Sequence, residues 1–238
     1  MKRFLLTNDD GINAEGLIRL AKTVKEFGEV WVVAPDSQRS SISHAISFHQ
    51  PIELHPCEFP VEGVHAYSCT GTPSDCVRAG ALYLMPEKPF AVLSGINRGY
   101  NAASDIQYSG TCGAAFEGAF QGIHSIAVSE QPKDCHDVIE KYLKEILTEL
   151  LDQKLEPGQI YNVNFPACPL SELKGVKRDV TVSDGYFYSS RYKKLADLSD
   201  GGICIEVDGE YSENGEDGTD LYAISQKYIT IGIVNNIR

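Results

Sequence analysis

Val30-Trp31-Val32-Val33-Ala34 is an unbroken apolar run. A strand with one face in water alternates apolar and polar residues. A strand that reads apolar throughout is buried on both faces, which requires a sheet covered by helices on both sides. The flanking sequence agrees. Residues 3–7 read as a strand and end in Asn8-Asp9-Asp10-Gly11. Residues 14–27 place Leu17, Leu20, Ala21, Val24 and Phe27 at helical spacing, and Gly28 closes that helix. A β-α-β order with short links predicts parallel strands joined by a right-handed crossover.

The alternation continues to about residue 166. Residues 90–94 and 126–128 and the stretch 161–166 read as further core strands. Between them, residues 72–84, 109–122 and 134–152 read as helices, the first opened by Pro73 at a tolerated first-turn position. Residues 44–70 alternate and carry Pro51, Pro56 and Pro60, which predicts a β-hairpin excursion. Beyond about residue 170 the alternation stops, and short β-like pieces at 180–182 and 202–207 lie among turn residues. The expectation is therefore an α/β core over 1–170 and an extended, hairpin-rich region over 171–238. Isolated hairpins are marginal in water, so that region should pack on the core or on another subunit.

The charge balance narrows the partners. The chain has 33 Asp and Glu against 21 Lys and Arg, a formal net charge of −12. Nucleic-acid polymers are held mainly by Lys and Arg, so a polynucleotide is not the expected partner. A small phosphorylated molecule is compatible, because a bound cation or a helix N-terminus can invert the local potential. No apolar run is long enough to span a bilayer, so no membrane partner is expected. The N-terminus turns polar too soon for an export signal, and the seven cysteines form no C-x-x-C pair, so they read as reduced thiols in a cytoplasmic protein.

Ligands of an open α/β sheet bind outside the carboxyl ends of the strands. Four motifs fall there. Asp9 and Asp10 are adjacent carboxylates in a tight turn, a repulsion that a hard divalent cation resolves, although Asp-Gly is also ordinary turn chemistry. The loop Ala34 to Ser41 offers several hydroxyls that could complete an oxygen shell and the cation of Arg39, which could meet phosphate, although it reads equally as a solvated polar loop. In Ser94-Gly95-Ile96-Asn97, Asn97 follows a buried strand, where its amide oxygen can reach a metal. Ser109-Gly110-Thr111 opens a helix, whose free N–H groups and dipole favour a phosphate, with Gly110 permitting close approach. The fourth, Cys69 to Cys76, carries hydroxyls and Asp75 at another strand-to-helix junction and reads equally as helix-start chemistry. No P-loop, dinucleotide fingerprint, nucleophile elbow or H-E-x-x-H pattern occurs.

Taken together and in this order, the motifs resemble the stationary-phase survival protein SurE family of metal-dependent nucleotidases. The resemblance is strong from Lys2 to Pro166 and weak beyond. It implies a Rossmann-like three-layer core and a C-terminal part exchanged between the subunits of a homodimer or homotetramer. It implies one divalent ion per subunit, Mg²⁺ or Mn²⁺, on Asp9, Asp10, Ser40 and Asn97, with Asp9, Asp10 and Asn97 in the catalytic set. Asn8, Ser109, Gly110 and Thr111 then face the phosphate. The implied reaction is hydrolysis of small nucleotides, nucleoside 5′- and 3′-monophosphates, by a metal-activated water. Base preference, 5′ against 3′ preference and a side activity on short polyphosphate stay open. Ser41 stands where the family usually has glycine, and Ala102-Ala103 replace a polar/glycine pair. A nucleotide-binding regulator, which would tolerate loss of Asp9, and a transferase needing an activated donor are the other readings of these motifs.

Overall fold

The computed structural model describes residues 1–212 and 215–236; residues 213–214 and 237–238, within the C-terminal region read from the sequence, lie outside the described residues. Strand β1 (Arg3–Thr7) is followed by helix α1 (Glu15–Val24), β2 (Glu29–Pro35), β3 (Leu54–Pro56), β4 (His65–Cys69) and α2 (Pro73–Ala79). Then come β5 (Ala91–Arg98), the short α3 (Asp105–Tyr108), α4 (Gly110–Phe120), β6 (His124–Glu130), α5 (Asp137–Leu151) and β7 (Gln159–Phe165). The chain continues through β8 (Gly175–Arg178), β9 (Tyr188–Asp197), β10 (Ile203–Tyr211), α6 (Asp220–Ser225) and β11 (Tyr228–Asn235).

The main sheet has nine strands in the order β3-β4-β2-β1-β5-β6-β7-β11-β8. From β4 to β7 every neighbouring pair is parallel. Strand periodicity sorts the residues of β1: Phe4 and Leu6 face one way, Leu5 the other. Phe4 and Leu6 join a core with Leu17 and Leu20 of α1 and Ile146 and Leu147 of α5. Leu5 joins Val33, Val92, Val77 of α2 and Ala114 of α4 on the opposite face. These are the three layers expected of the apolar runs. At β1 the sheet order reverses: the chain first builds outward through β2 and β4, then returns to lay β5 on the other side of β1. The carboxyl ends of β1 and β5 therefore flank a crevice, the usual ligand position in such sheets.

Close approach shapes that crevice. A Cβ on Gly16 would overlap the carbonyl oxygen of Ile96, so the bare backbone of Gly16 is what lets α1 settle on β5. Helix α2 is held by a capping box: Asp75 donates its backbone N–H to Thr72 Oγ1 at 3.0 Å, and the Asp75 carboxylate accepts from Thr72 N–H at 2.9 Å. A single π-helical turn, Gly80–Leu84, continues it.

Several boundaries differ from the sequence expectation. Strand β5 runs on through Asn97 to Arg98, with an irregular register between Ser94 and Asn97, so Asn97 lies within the strand. The excursion does contain an antiparallel pair, β3 with β4, yet β4 is also a parallel member of the main sheet beside β2. After residue 170 the chain divides. β8 and β11 extend the main sheet, with β11 antiparallel to β7, so the core does not end at residue 170. β9 and β10 form a separate two-stranded ribbon. Residues 180–182 form no strand beyond a single bridge from Thr181 to Thr219.

Gly16→Ala is expected to cost about 1–3 kcal/mol by forcing α1 away from β5. Urea unfolding of the variant against the parent checks this, and an unchanged midpoint would show that the helix can lift without penalty.

Candidate active site

The turn after β1 is built by Asn8. Its side-chain amide donates to the Gly11 carbonyl at 3.0 Å and accepts the Gly11 N–H at 3.2 Å. Both polar ends of this fully buried side chain are therefore engaged in shaping the turn, and Gly11 takes φ +103°, a region that favours glycine. That closure sets Asp9 and Asp10 at the mouth of the crevice.

Asp9 is 4% exposed. The Thr111 hydroxyl donates to its Oδ1 at 2.5 Å. Burial pushes the Asp9 carboxyl up from its usual 3.8 to about 6; the Thr111 hydrogen bond opposes this, and the charge of Asp10 adds to it. Asp10 is half-buried and also raised, chiefly by burial, with the Arg98 backbone N–H at 3.3 Å and the Arg98 charge pulling the other way. Among the described residues no Lys, Arg or His forms an ion pair with either carboxylate.

Helix α4 starts against this pair. Ser109 caps it, its Oγ accepting the Cys112 N–H at 3.0 Å. Ser109 also lines a neighbouring cleft with Ser43, His44 and Gln107. A Cβ on Gly110 would lie 2.9 Å from the Asp9 Cβ, so the close approach that this glycine permits is to Asp9 itself. The Thr111 hydroxyl is fully buried and committed to Asp9.

The loop after β2 folds over the same point. Arg39 N–H donates to the Asp9 carbonyl at 2.7 Å, which ties the loop to β1 one residue before Ser40. Gln38 donates to Ser40 Oγ at 3.0 Å and lines one cleft with Asp10, Asn97 and Arg98. Asn97 donates its Nδ2 to the Gly99 carbonyl at 2.8 Å, which leaves Oδ1 available. The Arg39 guanidinium binds the Thr70 carbonyl at 3.1 Å and Asp36 at 3.3 Å. Ser41 and Ala103 hold left-handed backbone, φ 56° and 49°, despite carrying side chains.

The donor set fits a hard divalent cation. It offers only oxygen: two carboxylates, both raised by burial, with an amide and a hydroxyl near by. Among the described residues no three His, Cys, Asp or Glu side chains gather as an all-acidic or imidazole cage. The arrangement can hold an ion against a phosphoryl group and present helix N–H groups to the remaining oxygens.

Asp75 and other side chains near by are committed elsewhere. Asp75 is occupied by the α2 cap and by the Ser47 N–H at 2.9 Å. His44 pairs with Glu117 at 2.8 Å, and Glu117 also takes Arg78 at 3.1 Å and Gln121 at 2.7 Å. Burial lifts the Glu117 carboxyl, but these partners outweigh it and hold the group below its usual range. Tyr100 packs with Phe187 against Ala102, Leu221 and Ile224. The sequence reading missed Arg19, Glu130 and His136, which line the same cleft as Asp10. The available signal was Glu130 at the end of an apolar strand, the same edge as the other motifs.

Comparison with known proteins gives a consistent picture. The family model described as "Survival protein SurE" matches residues 4–187. The 5′-nucleotidase SurE of Clostridium botulinum (strain 657 / Type Ba4) is 39% identical over 231 residues, covering 95% of this chain and 90% of the relative. That of Thermoanaerobacter sp. (strain X514) is 39% identical over 232 residues, covering 96% and 90%. The crystal structure of the SurE protein from Aquifex aeolicus superposes with a TM-score of 0.82 at 32% identity, covering 99% of this chain and 94% of the other. On the shared sequence and the shared sheet, the chain belongs to the SurE survival-protein family.

Proposed function

We propose that this protein hydrolyses nucleoside 5′-monophosphates to nucleoside and phosphate with the help of one divalent cation per subunit, Mg²⁺ or Mn²⁺. The observation that carries the reading is the buried Asp9 beside Asp10 at the sheet's switch point, with no ion pair to either carboxylate among the described residues. The relatives named 5′-nucleotidase support the substrate class. Asp9, Asp10, Ser40 and Asn97 would hold the ion. Bound there, a divalent cation supplies Lewis-acid charge to a phosphoryl oxygen and acidifies a water.

The protein's own groups do the rest. The Ser109 hydroxyl and the Gly110 N–H at the start of α4 orient the phosphoryl oxygens that face away from the carboxylates. One of the two aspartates takes the water's proton. Thr111 fixes Asp9 so that its second oxygen stays turned to the ligand side. The β9–β10 ribbon, with Tyr192, Ile203 and Ile205 more than half exposed, serves subunit exchange in a homodimer or homotetramer. The seven free cysteines suit a reducing, cytoplasmic setting.

Phosphate release from a panel of 5′- and 3′-nucleoside monophosphates and tripolyphosphate, with Mg²⁺, Mn²⁺ or EDTA, tests the reading. Release should require the cation and fall at least roughly a hundredfold in Asp9→Asn with its circular dichroism intact. No release under any metal, from protein that still binds nucleotide, would favour the regulator reading.

The Asp9 shift also sets a pH dependence. Its folded value lies above the unfolded one, so in the metal-free protein it contributes stability that is full below about 3.8 and lost as pH rises through about 6. Cation binding runs oppositely, because it needs the carboxylate. Calorimetric Mn²⁺ affinity should therefore weaken steadily below about pH 6. Thr111→Val removes the bond that opposes the shift. It should move that acid limb to higher pH and weaken the cation roughly 10–100-fold. An unmoved limb would show that Thr111 serves packing only.

A further inference from the structure

Three elements meet beside the candidate active site and bring together a group that the proposed hydrolysis does not use. Arg19 stands on α1, Glu130 ends β6, and His136 immediately precedes α5. Glu130 is 3% exposed, and its Oε2 accepts from both Arg19 Nη2 at 2.6 Å and His136 Nδ1 at 2.9 Å. Among the described residues its other oxygen, Oε1, has no hydrogen-bond partner, and neither have Arg19 Nε and Nη1. All three residues line the cleft that holds Asp10 and Asn97.

An ion pair kept only for stability would engage Arg side-on, two N–H groups to two carboxylate oxygens. Here a single oxygen takes both the Arg19 and the His136 donor, and the remaining acceptor and donors are left unmatched. Buried polar atoms of this kind call for a partner. Glu130 Oε1 asks for a donor, which excludes a second phosphate at that wall, since a buried carboxylate repels an anion. The free N–H groups of Arg19 ask for an acceptor. A hydroxyl is both at one atom, and two neighbouring hydroxyls can serve the two groups together.

We infer that Arg19 and Glu130, oriented by His136, form the subsite for the ribose diol of a nucleotide whose phosphate sits at Asp9 and Asp10. The inference rests on the hydrolase reading and adds to it a source of discrimination: the sugar is recognised by its hydroxyls. A site built to bond a hydroxyl disfavours the analogue that lacks it, because its own buried groups are then left unpaired.

The test compares kcat/KM for AMP and for 2′,3′-dideoxy-AMP in the parent protein, in Glu130→Gln and in Arg19→Met. The parent should prefer AMP by at least about tenfold. The ratio should shrink toward one in each variant, chiefly through KM, and should shrink alike when the base is cytosine or guanine. A parent ratio near one overturns the inference without recourse to any variant. A ratio unmoved in variants that keep the parent's circular dichroism, or a loss that follows the base instead of the hydroxyls, overturns it too. No phosphate from either substrate sinks the hydrolase reading, and this subsite with it.

Discussion

The structure around the crevice depends on keeping one carboxylate out of water. Burying Asp9 is costly, and the cost is limited by the Thr111 hydroxyl and by the positive end of α4. Each element that touches Asp9 is constrained in turn. Residue 110 must lack a side chain, the loop after β2 must return so that Arg39 can reach the Asp9 carbonyl, and Asn8 must close the turn below. The motifs that look independent in the sequence are the several sides of one buried acid.

This is why the motifs around the crevice can be picked out in the sequence. Adjacent aspartates, a helix opening with Ser-Gly-Thr and an asparagine after an apolar strand are local features, and the β-α-β pattern already sends strand ends to one edge. What was not legible is which partner each group chooses. Thr111 and Gly110 read as phosphate contacts, and the geometry turns both toward Asp9. Asn8 read as a substrate contact, and its amide closes on Gly11. Such choices depend on distances between elements far apart in the chain.

The C-terminal region was the least legible part, for a related reason. β11 carries Ile229, Ile231 and Val234 into the core, but its neighbours are β7 and β8, so no nearby turn announces it. β9 and β10 show the reverse: their exposed apolar residues alternate with charges such as Lys193 and Glu206, which pair across the ribbon at 3.0 Å. A ribbon with two wet faces leaves no amphipathic signature against which to orient it.

The insertion of β11 between β7 and β8 has a consequence for how the chain is made. Synthesis proceeds from the N-terminus, and early segments begin to fold as they emerge. Strands β1 to β7 can assemble while β11 is still unmade, and the sheet then ends at β7. For that interval the apolar rim of β7, with Ile160, Val163 and Phe165, is an open edge able to pair with another chain. The nascent protein is thus most prone to aggregate in the interval before β11 emerges, when most of this core exists and the strand that seals it does not.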